Sequence, residues 1–408
     1  MLLAAGASAQ PALDEQQYVE QVLAGSLDAR VAEQEAALER AGRVGAGLWP
    51  NPSLSWQRER TGSGHRAGES QDVLMASVPL VLSGRLGLES EAAEQQALAA
   101  EALLARARAE LRHEATRSFA VLLAAQERRA TLEESLATLK RLVEVIAARE
   151  RAGEAAGHER LRIELEAAAV AVALQGAVLD ERQARAQALR LLGPQVAALP
   201  TLQSTLGAER PLPEEGALRA GLETQRADLR ALSLEASSAE TARRAAGRSW
   251  IPEPTLQGGV QLLDVGQPGA GMGYVVGVAL PLPLFDRGQG EAARAEARRE
   301  LAEARRAALL HAARSRLSSA LEAVSGSRER LARHRTEVLA RAEELRRIAT
   351  AAYRGGSAEL LVLVDAERAA REARLTSIEL AVAVVEAETD LLLLAGVYDG
   401  APRRSASR

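Results

Sequence analysis

The chain has 408 residues, a net charge of −4, no cysteine and only nine aromatic residues, three Trp, four Tyr and two Phe. Disulfides, thiolate metal sites and cysteine-linked lipid anchors are excluded, and bases interspersed with acids, with no basic block, argue against nucleic acid as a partner. At 47% hydrophobic, much of it Ala and Leu set among Glu and Arg, the composition is that of long helices. It lacks the aromatics that fill a thick core.

In chain order, Leu2-Leu3-Ala4-Ala5 leads through Ala7-Ser8-Ala9 to Gln10. That is the pattern of the end of a secretory signal, so residues 1–9 read as its remnant. No apolar run approaches the roughly 18 residues of a membrane-crossing helix, so any crossing must be made by strands. A helical segment then runs to Trp49-Pro50-Asn51-Pro52. Beyond it Leu54 and Trp56 alternate with Ser53, Ser55 and Gln57, and Leu74, Ala76, Val78 and Leu80 share one face. These are two strands of period two, joined by a polar, Gly-rich connection over 61–69. Residues 88–152 contain neither Gly nor Pro and predict one helix on the order of 100 Å long. Leu132, Leu136, Leu139, Val143 and Ile146 keep the 4-3-4-3 spacing of a coiled-coil seam within it. Gly153 and Gly157 mark a chain reversal, and a shorter helix ends at Leu192-Gly193.

The second half repeats the first. Pro52 and Pro254, Pro79 and Pro281, and Gly153 and Gly355 all stand 202 residues apart, and Leu192-Gly193 recurs as Ala395-Gly396. The repeats span 14–205 and 206–398, leaving 399–408 as a flexible tail. Leu256, Gly258, Val260 and Leu262 line one face of a strand, and Tyr274, Val276, Val278, Leu280 and Leu282 one face of the next. Residues 291–352 predict a second long helix, with Leu317, Leu321, Val324, Leu331, Val338 and Leu345 on one heptad track. Tyr353-Arg354-Gly355-Gly356-Ser357 is its turn.

Each strand is about ten residues, enough to cross a bilayer when tilted. Four strands with one apolar face cannot close a barrel, and an open edge is forbidden in lipid, so a transmembrane sheet requires several copies. Three would give twelve strands. The competing reading is a soluble four-stranded sheet capping a coiled-coil scaffold; the duplication and the very long helices favour the pore. The five histidines are scattered without metal spacing, and no nucleophile set or phosphate loop occurs. The chain reads as a non-enzyme with no cofactor and no metal site.

The ordered set of motifs resembles the TolC-type outer membrane efflux proteins. It comprises the duplicated Pro-x-Pro, Val78-Pro79-Leu80 and Leu280-Pro281-Leu282-Pro283-Leu284, the long Ala/Leu helices, the two glycine turns and the closing Leu-Leu-Gly. The resemblance implies a tandem-duplicated protomer, mainly α with a small β part. It trimerises into a 12-strand β-barrel on a 12-helix α-barrel, in the outer membrane of a Gram-negative bacterium. It further implies a passive, gated exit duct with two protein partners, a periplasmic adaptor and an inner-membrane pump of the resistance-nodulation-division type. Leu54, Trp56, Leu256, Val260, Tyr274, Val276 and Val278 would then face lipid, and Gly153, Gly157, Gly355, Gly356 and Ser357 would form the adaptor-contact turns. Glu159, Tyr353 and Asp365 would gate the periplasmic tip, although Val362 and Ala358 depart from the family's pattern there. The plainer reading of Glu159 and Asp365 is that they are solvated helix residues.

Overall fold

The computed structural model describes residues 13–60, 62, 69–152, 157–200, 202–208, 210–264 and 271–400. The signal remnant at 1–9, Gly153, most of both strand connections and residues 401–408 lie outside them. Each half of the sequence folds in the same order. The first half gives α1 (Glu15–Gly25), α2 (Leu27–Gly45), β1 (Ser53–Arg60), β2 (Ser70–Pro79), α3 (Arg85–Arg151) and α4 (Gly157–Leu192). The second gives α5 (Glu215–Gln225), α6 (Ala227–Ala246), β3 (Thr255–Asp264), β4 (Gly271–Ala279), α7 (Gln289–Arg333), α8 (Ala340–Arg354) and α9 (Leu360–Leu394). The mainly helical fold with a four-stranded part is as the sequence predicts.

Three boundaries differ from that reading. The helix before each strand pair is two helices, broken at extended Ser26 and Arg226. Strand β4 stops at Ala279, short of Leu282, because Pro281 and Pro283 have no N–H to give a ladder. The second long helix is interrupted: His334–Leu339 wind as a π-turn between α7 and α8. A π-turn bonds i to i+5 and so takes more residues per turn, which rotates everything after it. Leu317, Val324 and Leu331 are accordingly buried, whereas Val338 and Leu345 on the same heptad track are exposed. Ala342, Ala349 and Tyr353 take the inside instead.

The chain folds as two compact units. One is built from Met1–Glu33, Ala105–Ala227 and Leu310–Arg408, the other from Gln34–Leu104 and Asp228–Leu309. In the first unit, Leu132, Leu139 and Ile146 of α3 share one apolar cluster with Ile163, Val170 and Ala177 of α4. Both series step by seven, the repeat of a coiled coil. The scarce aromatics are used sparingly here: Tyr18 packs on Phe119 with ring centroids 5.7 Å apart and donates its hydroxyl to the Ala188 carbonyl at 3.0 Å. Helix α1 starts at Asp14 because Asp14 and Gln17 cap each other's backbone N–H groups, at 2.8 and 3.2 Å, the reciprocal capping box.

The helices α4 and α9 end alike, at Gly193 (φ 84°) and Gly396 (φ 75°). A Cβ on Gly193 would lie 2.4 Å from the Gly25 carbonyl oxygen, and one on Gly396 would lie 2.9 Å from the Arg226 nitrogen. Both the left-handed φ and the close approach demand glycine. Gly193→Ala is therefore expected to cost about 1–3 kcal/mol, read as a lower melting temperature of the detergent-solubilised protein; an unchanged melting temperature would contradict this account of the turn.

In the second unit α6 lies against the start of α3. Ser238 donates its hydroxyl to the Ala92 carbonyl at 2.8 Å, and Thr241 donates to the Gln95 side chain at 3.3 Å. The sheet is ordered β1-β2-β3-β4 and antiparallel throughout. Its base is tied by Leu80 N–H to the Pro254 carbonyl (2.8 Å) and by the Ser83 hydroxyl to Glu253 (2.6 Å).

Candidate functional site

The strand registers stack side chains into rows. Trp56, Leu74, Val260 and Tyr274 stand in one row across all four strands. Leu54, Ala76, Gly258 and Val276 make the next, and Val78, Leu256 and Val278 a third. The opposite face carries Ser55, Gln57, Gln257 and Gln261. The accessibility is inverted relative to a soluble sheet: in β3, Leu256, Val260 and Leu262 are exposed and Gln257 and Gln261 between them are half-buried. Tyr274 is 86% exposed and Val276 78%. The three rows cover about 13 Å of strand and give way at one end to the row with the Arg58–Asp72 pair, 3.7 Å apart. All seven residues read from the sequence as lipid-facing lie on this exposed apolar face. Trp49, Trp56, Trp250, Tyr274 and Phe285 are exposed in or beside the strands. The two edge strands, β1 and β4, each pair on one side only.

Within the first unit, α8 turns into α9 through a Schellman motif. The Ser357 N–H donates to the Ala352 carbonyl (2.9 Å) and the Gly356 N–H to the Tyr353 carbonyl (3.1 Å), with Gly356 at φ 73°, as such a cap requires. The exposed turn thus holds Gly355, Gly356 and Ser357. On the other hairpin, Gly157 begins α4 and Arg160 pairs with Glu150 at 2.8 Å across the reversal. The Arg149 guanidinium of α3 sits 5.4 Å from the centroid of Tyr353 of α8, so the two hairpins end at the same level.

The three expected gate residues are not joined. Tyr353 is buried in the apolar cluster with Ile146 and Ile163, its hydroxyl without a hydrogen-bond partner. Glu159 is half-buried and Asp365 exposed. No hydrogen bond or ion pair links any two of them among the described residues. The clasp between the hairpins lies slightly deeper. Glu166 of α4 accepts from Arg371 of α9 at 2.8 Å and also from Arg368; Arg371 reaches on to the Ser135 hydroxyl at 3.3 Å. One turn further on, Arg374 pairs with Glu134 at 2.8 Å and with Glu343, which Arg346 also holds at 3.0 Å.

Hydrogen bonding from Arg368 holds the Glu166 carboxyl below its usual range against the opposing effect of burial, while burial pushes nearby Glu367 up. A carboxylate depressed in the fold stabilises fully above its unfolded pKa, near 4.5, and loses that contribution as pH falls through the folded value. Melting temperature is expected to drop on acidification below pH 4.5, and Glu166→Gln to flatten the drop; an equal drop in the variant would remove Glu166 as its source. The clasp was missed in the sequence although a signal was there. Glu166 and Arg368 stand 202 residues apart, so one duplicated position carries opposite charges in the two repeats.

Among the described residues no helix is long and apolar enough to cross a membrane, and no group of three or more acidic, His or Cys side chains could hold a metal ion. An outer membrane efflux protein family model matches residues 218–397. The chain is 28% identical to the cobalt-zinc-cadmium resistance protein CzcC of Cupriavidus metallidurans, over 84% of this chain and 80% of that one. Among solved structures, a membrane protein from Pseudomonas aeruginosa matches with a TM-score of 0.79 at 21% identity, covering 94% of this chain and 92% of that one. The CmeC outer membrane channel of Campylobacter jejuni matches with a TM-score of 0.76 at 15% identity, covering 94% and 85%. At these identities the likeness speaks for the fold.

Proposed function

We propose that the chain is a member of the outer membrane efflux protein family, whose model matches residues 218–397, and that it is the trimeric exit duct of a tripartite efflux pump. Proteins of this family are outer membrane channels, not enzymes. One observation carries the reading: a sheet whose exposed face is apolar and whose two edges are unpaired. A water-soluble scaffold would have to hydrate that face, at about 25 cal/mol for each Å² left in water. In lipid the face is satisfied and only the edges are not. β4 of one copy laid antiparallel on β1 of the next satisfies them, and three copies close twelve strands, with twelve helical staves continuing into the periplasm.

The turns at Gly157 and at Gly355, Gly356 and Ser357 are the surfaces for a periplasmic adaptor, itself bound to an inner-membrane pump of the resistance-nodulation-division type. The identity to CzcC supports divalent metal cations as cargo. Deleting the gene in its host should raise sensitivity to cobalt, zinc or cadmium, with resistance restored by the intact chain. Protection against organic compounds alone would overturn the cargo, and recovery of the protein wholly in the soluble fraction would overturn the duct. Exposed Asp365, repeated three times around the aperture, forms a carboxylate ring that attracts cations. Asp365→Asn is expected to lower cation selectivity in planar bilayers; unchanged selectivity would sink the ring.

A further inference from the structure

At the base of the sheet the two repeats diverge at one duplicated position. Arg85 and Arg287 stand 202 residues apart, each where the chain turns from a strand into a long helix. Arg85 is satisfied within the chain, by Glu89 at 2.6 Å and Glu253 at 3.4 Å. The counterpart of Glu89 is Glu291, and Arg294 holds it at 2.5 Å. Arg287 is thereby left exposed, with no ion pair among the described residues. Arg248, in the turn after α6, is exposed and unpaired in the same sense, and donates to the Ser83 carbonyl at 3.5 Å. The two turns touch: a Cβ on Gly288 would lie 2.3 Å from the Ala246 carbonyl oxygen and 3.0 Å from the Ser249 Cβ. Both arginines therefore belong to one patch.

That patch borders exposed apolar side chains. Phe285 is 91% exposed, and Trp250 and Leu284 more than 60%. The loop that carries Phe285 is tied down. The Gln289 side chain donates to the Phe285 carbonyl at 2.9 Å and accepts from the Arg287 N–H at 2.7 Å, and Asp286 accepts from the Gly288 N–H at 2.9 Å. A tied loop that holds a phenyl ring in the open presents it to a partner. Beside it runs a groove of about 340 Å³ walled by Ile251, Pro252, Pro281, Leu282 and Pro283, and its prolines bring no N–H to the wall. The charge is as definite. Glu253 and Glu291 are neutralised by Arg85 and Arg294, so Arg248 and Arg287 face Asp286 alone, and one positive charge per copy is left over.

We infer that this patch binds an anionic glycerophospholipid of the periplasmic leaflet, its phosphate on Arg248 and Arg287 and its acyl chains along Phe285, Trp250 and the groove. Arginine forks match phosphate oxygens two by two, and one surplus positive charge answers one phosphodiester. A zwitterionic lipid brings its own ammonium and leaves that surplus uncompensated. In the first repeat Ser83 stands at the place of Phe285 and Arg85 is already paired, so each copy holds one such site. The inference rests on the membrane reading of the sheet, and the test separates the two. Trp49→Phe with Trp56→Phe leaves Trp250 as the single tryptophan. In phosphatidylcholine bilayers, a small share of brominated phosphatidylglycerol should quench its fluorescence at least fivefold more than the same share of brominated phosphatidylcholine. Adding Arg248→Gln and Arg287→Gln should bring the two lipids level. Arg298→Gln with Arg305→Gln, the same charge change at exposed positions farther along α7, should keep the preference. Equal quenching by both lipids, or a preference that survives the loss of Arg248 and Arg287, overturns the lipid site and leaves the duct standing. A protein that a carbonate wash strips from the bilayer overturns the membrane reading itself.

Discussion

Charge reversal at Arg371 should loosen the tip, with single-channel conductance in planar bilayers rising several-fold over the unaltered protein. Arg371 donates to Glu166 and Ser135 at once, and Glu166 is buried, with a side chain only 8% exposed. Arg371→Glu would set a second carboxylate against it. Breaking a buried ion pair by removing one partner costs about 3–5 kcal/mol, because the other charge stays desolvated. Arg371 lies about 16 Å along α9 from its first residue, near enough to the turn for its loss to splay the hairpins. Arg371→Lys should fall between, since it keeps the charge but loses the fork that spans Glu166 and Ser135. A folded Arg371→Glu trimer with unaltered conductance would show that the pair braces the helices without governing the aperture.

The second large effect is expected in the sheet. Val260 stands in the apolar row Trp56, Leu74, Val260, Tyr274, near the middle of strand β3 (Thr255–Asp264). An Arg at the lipid-facing midplane of a barrel costs about 2–4 kcal/mol, and a trimer would pay it three times. Val260→Arg should therefore abolish the heat-modifiable trimer in the outer membrane fraction, whereas Gln261→Arg, one residue on and on the opposite face, should leave it. Equal tolerance of both would mean that this face does not meet lipid.

Strands, long helices and duplication were legible in the sequence because each follows from a local rule. Alternation fixed the faces of β3 and β4, and the absence of Gly and Pro fixed α3 to within three residues at its start. The apolar face at Val260 and Tyr274 was found for the same reason. The π-turn was not legible, since His334-Arg335-Thr336-Glu337-Val338-Leu339 contains no residue that breaks a helix, and the heptad count runs through it undisturbed. Its effect emerges only from packing, in the exchange of Val338 and Leu345 for Ala342 and Ala349 on the inside. The clasp was hidden differently. Glu166, Arg368 and Arg371 are ordinary helix residues one by one, and only the fold carries α4 to α9. Reading the tip from turn residues alone drew attention to Tyr353 and Asp365, which occupy an apolar cluster and an exposed face.

The unpaired edges of the sheet also govern the order in which this protein can be made. A lone copy with its sheet already formed would find no suitable solvent. Water opposes the face with Val260 and Tyr274, and lipid opposes the free N–H and C=O groups of β1 and β4. The sheet becomes the preferred state only when neighbours arrive, so folding of the strands, association and insertion form one concentration-dependent event. The long helices are under no such constraint, because their backbone bonds close within each segment. Biogenesis should accordingly begin with helical hairpins in the periplasm and finish with the barrel, and a shortage of subunits would leave chains helical but uninserted.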